Sequence, residues 1–351
     1  LIAQVLLTAL FVWAGALATP LGWVCLAVLS ASWIGTAFVL LQVRGASGVV
    51  DRALADAGVP RSDAAVPTWR EIVAFPLRGR SVAKFGGIEY RRVAGRTLKL
   101  DVFHDGSATT GRPVLMYIHG GGWVVGDKRE QGLPLMHHLA RNGWVCVTAN
   151  YRLSPGATWP DPLIDVKAAL AWIRSTIHEY GGDPSFVAVA GGSAGGHLAA
   201  MVGLTQNLPE YQPGFEDVDT SVDVVVPIYG IYDTTNRMGV QSKQFVPMLM
   251  EPLVIKAYLA DEPEKFRDAS PIDRVHADVP TFVVPQGDKD TLAPVEETRA
   301  FVDGLRSVSN NRVVYMEFRG AQHIFDLAYS QQSSAMIEGV MSVLDDELAR
   351  S

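Results

Sequence analysis

Only two cysteines occur in 351 residues. Cys25 falls in an apolar run and Cys146 in an expected buried strand, so neither a disulfide scaffold nor a paired-cysteine metal site is built from them. The chain also lacks an H-E-x-x-H pair and a dinucleotide-binding glycine fingerprint; no metal or organic cofactor is expected. With a formal net charge of -7 there is no basic excess of the kind a nucleic acid partner demands. Internal repeats, Gly/Ser linkers and long charge runs are missing as well.

A more local absence shapes the N-terminal part. From Leu1 to Leu41 there is no charged side chain, and Thr19-Pro20-Leu21-Gly22 interrupts the run near its middle. Each half, Leu1–Ala18 and Trp23–Leu41, approaches the roughly 20 residues that cross a bilayer core, and Pro/Gly punctuation suits a reversal. Residues 1–41 are therefore expected to form a transmembrane helical hairpin. The alternative is a signal peptide followed by a core helix, but no basic n-region is visible and the apolar stretch is too long. Arg44, Arg52, Arg61, Arg70, Arg78, Arg80 and Lys84 follow, against Asp51, Asp56, Asp63 and Glu71. By the positive-inside tendency, that excess puts the rest of the chain on the cytoplasmic side. Residues 42–85 read as an amphipathic connector and 86–351 as one globular domain.

What is present in that domain is alternation. Ile88–Val93 and Thr97–Phe103 flank an Ala-Gly turn and read as an antiparallel pair. Six further apolar runs read as buried strands: Val114–His119, Val145–Ala149, Phe186–Gly191, Val222–Ile228, Thr281–Pro285 and Arg312–Phe318. Helical patterns separate most of them, at Leu133–Asn142, Pro162–Tyr180, Ala194–Leu204, Pro294–Ser307 and around Ser334–Ala349. Strands alternating with helices imply an α/β fold, a mostly parallel sheet with helices on both faces. In such a sheet function gathers at the carboxyl ends of the strands.

At one such end stands Gly191-Gly192-Ser193-Ala194-Gly195, a G-x-S-x-G between strand and helix. A serine there presents its hydroxyl at the sheet edge in a strained backbone conformation, and glycines leave room for the close chain crossing. Alone the motif is weak, since phosphate-binding turns look alike. Support comes from "YIHGGGWVVGDK", Tyr117 to Lys128, directly after another strand. Attack by serine on an ester creates an oxyanion that needs preorganised donors. The amides of Gly121 and Gly122, with that of Ala194 after the serine, can supply them.

A base and an orienting acid complete the set. In chain order these are Asp290, in "PQGDKDTLAP", and His323, in "GAQHIFD". Asp288 competes with Asp290, which is favoured because the residues after it lead straight into a helix. His119 belongs to the glycine turn and His197, four residues beyond Ser193, reads as packing. Glu296 and Glu297 read as first-turn helix acids, favourable there through the helix dipole.

Taken together, "HGGGW", "NYRLSP", "GGDPSFVAVAGGSAGGHLAA", "SPIDRV", "QGDKDTLAP" and "GAQHIFD" resemble the hormone-sensitive-lipase-like branch of α/β-hydrolase esterases, especially its membrane-anchored actinobacterial type. The resemblance covers about Ile88 to the C-terminus. It implies Ser193 as nucleophile, His323 as base, Asp290 as orienting acid, and Gly121, Gly122 and Ala194 as the oxyanion hole. Two departures stand out: Asp290-Thr291-Leu292 replaces the usual D-P-L, and Gly156 occupies a position that is commonly acidic in Y-R-L-A-P-E.

The stretch from about 230 to 270, with "QFVPMLMEPLVIKAYLADEP", reads as an apolar lid over an acyl pocket. The expected function is a membrane-anchored serine carboxylesterase or lipase acting on short- to medium-chain apolar or lipid esters. An acyltransferase or deacetylase acting on a membrane lipid or glycan is the alternative, and a non-catalytic small-molecule receptor on the same fold is a weaker one.

Overall fold

The structure, a computed structural model, describes residues 2–64 and 82–351. It divides into two compact units, Leu1–Gly45 and Ala46–Ser351.

The first unit comprises helix α1 (Ile2–Trp13), a short 3-10 turn at Ala16–Ala18 and helix α2 (Pro20–Val43). The expected break is where Thr19 caps α2, its hydroxyl accepting from the Gly22 amide at 3.3 Å with Pro20 at the first helical position; proline there surrenders only an amide that has no intrahelical partner. The first half of the apolar run stops earlier than the sequence reading had it, at left-handed Gly15 (φ 88°). Its 12 residues rise about 18 Å, short of a bilayer core. Within α2, Pro20–Phe38 spans 19 residues at a mean hydropathy of 1.7 with none of that span buried. Among the described residues it is the one helix long and apolar enough to cross a membrane.

The second unit is built on an eight-stranded sheet: β1 (Ala83–Val93), β2 (Arg96–His104), β3 (Arg112–Ile118), β4 (Val145–Ala149), β5 (Gly182–Gly192), β6 (Val224–Ile228), β7 (Thr281–Gly287) and β8 (Val313–Phe318). In space the order is β1-β2-β4-β3-β5-β6-β7-β8. The two pairs at the β1 edge, β1 with β2 and β2 with β4, are antiparallel, and the rest are parallel. β3 to β7 are almost wholly buried, which is why they read as unbroken apolar runs. Covering the faces are α4 (Leu133–Arg141), α5 (Asp161–Thr176), α6 (Ala194–Leu204), α8 (Val295–Val308) and α9 (Gln331–Leu348), numbered with α3 and α7 described below. This is the α/β-hydrolase architecture.

The expected connector at 42–85 is divided. Helix α3 (Ala46–Asp56) buries Ala46, Val50, Ala53 and Leu54 and packs against α9 and β8, so it belongs to the second unit. Residues 65–81 of that connector, with Glu71, Arg70, Arg78 and Arg80, lie outside the described residues. The expected lid holds a π-helical segment at Phe245–Ile255 and the short helix α7 (Pro263–Asp268). Pro252 inside the first of these removes an amide and clashes with regular α winding, so the segment is wider than a plain helix.

Candidate active site

Ser193 sits between β5 and α6 with φ 58° and ψ -122°, a conformation β-carbon-bearing residues rarely adopt. The turn around it has no room for side chains. A β-carbon on Gly195 would come within 2.1 Å of the Ile118 carbonyl oxygen, and one on Gly191 within 2.3 Å of the Gly195 oxygen. The Ser193 amide donates to the Ile228 carbonyl at 3.0 Å, tying the turn to the end of β6. Sequence and backbone thus agree on why the glycines are needed.

His323 and Asp290 arrive from the loops after β8 and β7. His323 Nε2 lies 2.9 Å from Ser193 Oγ, and His323 Nδ1 lies 2.7 Å from Asp290 Oδ2. The Asp290 side chain is fully buried, and its other oxygen accepts from the amides of Leu292 at 2.9 Å and Ala293 at 2.8 Å. With both oxygens engaged, the carboxylate is fixed and faces a donor at Nδ1. That assigns the tautomer: Nδ1 carries the proton and Nε2 offers its lone pair to the hydroxyl. Asp288 is turned elsewhere, accepting from the Gly320 amide at 2.6 Å and so bracing the loop that carries the histidine. A hydroxyl, imidazole and carboxylate in this row can generate a nucleophile at neutral pH.

The glycine turn passes directly beside the serine. A β-carbon on Gly120 would meet the Gly192 oxygen at 2.6 Å and Ser193 Cβ at 3.1 Å. Gly121 and Gly122 have φ of 110° and 59°, and the Gly121 carbonyl accepts from the amides of Val124 at 3.1 Å and Val125 at 3.0 Å. Ala194 opens α6, where the first amides of a helix have no intrahelical acceptor. The three expected oxyanion donors therefore belong to segments that flank the hydroxyl.

The remaining histidines near the site are structural. His119 Nδ1 donates to the Gly120 carbonyl at 2.8 Å and its ring stacks on Tyr151 at 4.4 Å. His197 accepts from the Trp123 indole at 3.3 Å and donates to the Ala269 carbonyl at 2.7 Å. Full burial lowers its pKa to about 4, so it stays neutral.

Two residues, Tyr229 and Asp326, escaped the sequence reading, and a third, Glu297, has more partners than it foresaw. Tyr229, directly after β6, packs its ring 4.8 Å from that of His323 and donates its hydroxyl to Asp326 Oδ1. Asp326 is buried, and burial pushes its carboxyl pKa up. The only sequence signal was the spacing of Asp326, three residues past His323. Glu297 is a first-turn acid of α8 as expected, and it is also buried, accepting from the Tyr232 and Asp233 amides and the Gln241 side chain. Desolvation raises its pKa to about 7. Its side chain points into the loop after β6, where the Tyr232 and Asp233 amides lie.

Comparison with known proteins gives three findings. The BD-FAE family profile matches residues 100–305. A Mycobacterium tuberculosis protein named "Probable carboxylic ester hydrolase LipM" is 46% identical over 81% of this chain and 66% of its own length; esterase LipQ of the same organism is 43% identical over 71% and 59%. The chain thus spans about two thirds or less of the relatives it matches. An esterase from Thermogutta terrifontis, Est2, superposes with a TM-score of 0.61 at 23% identity, covering 75% of this chain and 91% of that one, a likeness of fold.

Proposed function

The chain belongs to the BD-FAE family on the α/β-hydrolase fold, and from that premise we propose that it is a serine carboxylic ester hydrolase working through an acyl-enzyme on Ser193. The observation that carries this reading is the row Ser193 Oγ, His323 Nε2, His323 Nδ1, Asp290 Oδ2, with contacts of 2.9 and 2.7 Å. Relatives named as esterases support it.

Ser193 Oγ attacks the ester carbonyl carbon while His323 Nε2 takes the hydroxyl proton. The carbonyl oxygen becomes an oxyanion and accepts from the amides of Gly121, Gly122 and Ala194. As the tetrahedral adduct collapses, His323 passes its proton to the departing alkoxide and the alcohol leaves. Water then attacks the acyl-enzyme with His323 again as base, releasing the acid and restoring the serine. Asp290 stays ionised throughout and stabilises the imidazolium.

The substrate class we assign is a short- to medium-chain apolar or lipid ester. Met248 and Tyr258 in and beside the π-helical lid segment are exposed, as suits an adaptable acyl-binding cover. Membrane anchoring through the N-terminal unit is part of the same reading. An uncharged helical span of 19 residues with mean hydropathy 1.7 and no part buried is unlike a core helix, and the cationic residues after it favour a cytoplasmic catalytic unit. Protease protection on sealed vesicles tests that orientation. The test of the chemistry is hydrolysis of a chain-length series of aryl esters by wild type and Ser193→Ala. The variant is expected to lose about 10³-fold or more in kcat with binding retained; equal turnover by both would overturn the assignment.

A further inference from the structure

The His323 imidazole is held at both nitrogens by Asp290 and Ser193, yet two hydrogen bonds in the ring plane leave its face unsupported. Tyr229 packs against the imidazole, with ring centroids 4.8 Å apart and planes inclined by 55°. The phenol is itself wedged in place. The Tyr229 amide donates to the Pro285 carbonyl at 2.9 Å, and a β-carbon on Gly192 would stand 2.8 Å from the Tyr229 hydroxyl oxygen. Phe325 meets the phenol edge-on at 5.7 Å.

The hydroxyl end is where the arrangement departs from ordinary packing. It donates to Asp326, a buried carboxylate in the same loop as His323. Burying a carboxylate is costly, and an apolar pair of similar volume would hold a loop as well or better. Among the described residues, the groups that act on this carboxylate include Tyr229 by hydrogen bond, with His323 and the buried Tyr117 hydroxyl from β3 electrostatically. Asp290 also acts on Tyr229. So a second buried carboxyl group is connected to the imidazole through a clamped aromatic ring.

We propose that Asp326 is a positioning residue for His323: by clamping the Tyr229 hydroxyl it locks the phenol against the imidazole, and its charge favours the imidazolium formed at each proton transfer. The proposal rests on the reading of His323 as the base. It requires that removing the charge make the imidazolium formed at each proton transfer less favourable, which lowers kcat and moves the acid limb of kcat/KM to lower pH.

The test is steady-state hydrolysis of p-nitrophenyl butyrate from pH 5 to 9 by the 351-residue chain, with Asp326→Asn, Tyr229→Phe and His323→Ala. Asp326→Asn keeps an acceptor for the phenol and removes only the charge. Its acid limb is expected to fall by about half a pH unit or more, with kcat lower on the order of tenfold and KM within about twofold. Tyr229→Phe keeps the ring and frees it, with a similar loss in kcat. A wild-type acid limb and wild-type kcat in both variants, with only Tm reduced, would show a merely structural pair and overturn the proposal. Should Asp326→Asn not fold, unchanged kcat in Tyr229→Phe overturns it alone. Activity surviving in His323→Ala sinks the base assignment itself; activity abolished there but untouched in the other two sinks only the clamp.

Discussion

Asp288 and Asp290 are separated by a single lysine yet have different partners, one the Gly320 amide and the other the His323 ring. Asp290→Asn presents an amide to Nδ1 and favours the wrong tautomer, so kcat is expected to fall by about 10³- to 10⁴-fold. Asp288→Asn keeps an oxygen for the Gly320 amide and is expected to stay within about fivefold; steady-state kinetics on one aryl ester separates the two. Glu297 supplies a different test. Its pKa is raised from an ordinary 4.5 to about 7, so the folded state favours the protonated form. That contribution is full below pH 4.5 and is lost as pH climbs through about 7, a decline on the order of 3 kcal/mol. Glu297→Gln has no proton to lose. Urea midpoints at pH 5 and pH 8 should therefore diverge between wild type and variant, with the variant gaining relative stability at the higher pH.

Among the elements, the strands were the most legible from sequence. β3 to β7 are buried on both faces, and their apolar runs carried no ambiguity of period. The elbow and the glycine turn were legible for a related reason: both put glycine where backbone must pass backbone. Gly195→Ala would drive a β-carbon to 2.1 Å from the Ile118 oxygen, and the variant is expected to fold poorly, read as loss of soluble yield and of Tm. Helix α3 was not legible as part of the hydrolase unit. Its amphipathic pattern announced a buried face but not the partner, which is α9, nearly 300 residues later in the chain. Leu54, 3% exposed, provides the check: Leu54→Ala should cost about 2–4 kcal/mol in denaturant unfolding. The Tyr229–Asp326 pair lay hidden for the same reason, being 97 residues apart. At 245–255, in the stretch expected as a lid, composition pointed to an apolar helical segment but not to its π winding, because the effect of Pro252 depends on the winding of the neighbouring residues.

For the whole molecule, the division falls at Gly45 and Ala46, and α3 lies on the hydrolase side of it. A chain lacking residues 1–45 is expected to hydrolyse a water-soluble short-chain aryl ester within about threefold of the full chain while leaving the membrane fraction on carbonate washing. A chain lacking residues 1–57 also loses α3 and exposes the apolar surface of α9, and should aggregate. The two deletions thus separate anchoring from folding. Around the serine, a β-carbon on Gly191, Gly192, Gly195 or Gly196 would meet a neighbour at 2.8 Å or less. Val125, Leu292 and Ile324, on the three loops that surround it, stand open to solvent. Tolerance to substitution is thereby divided: the seat of the reactive oxygen admits no side chain, whereas the rim can be altered one exposed residue at a time without disturbing the backbone beneath it.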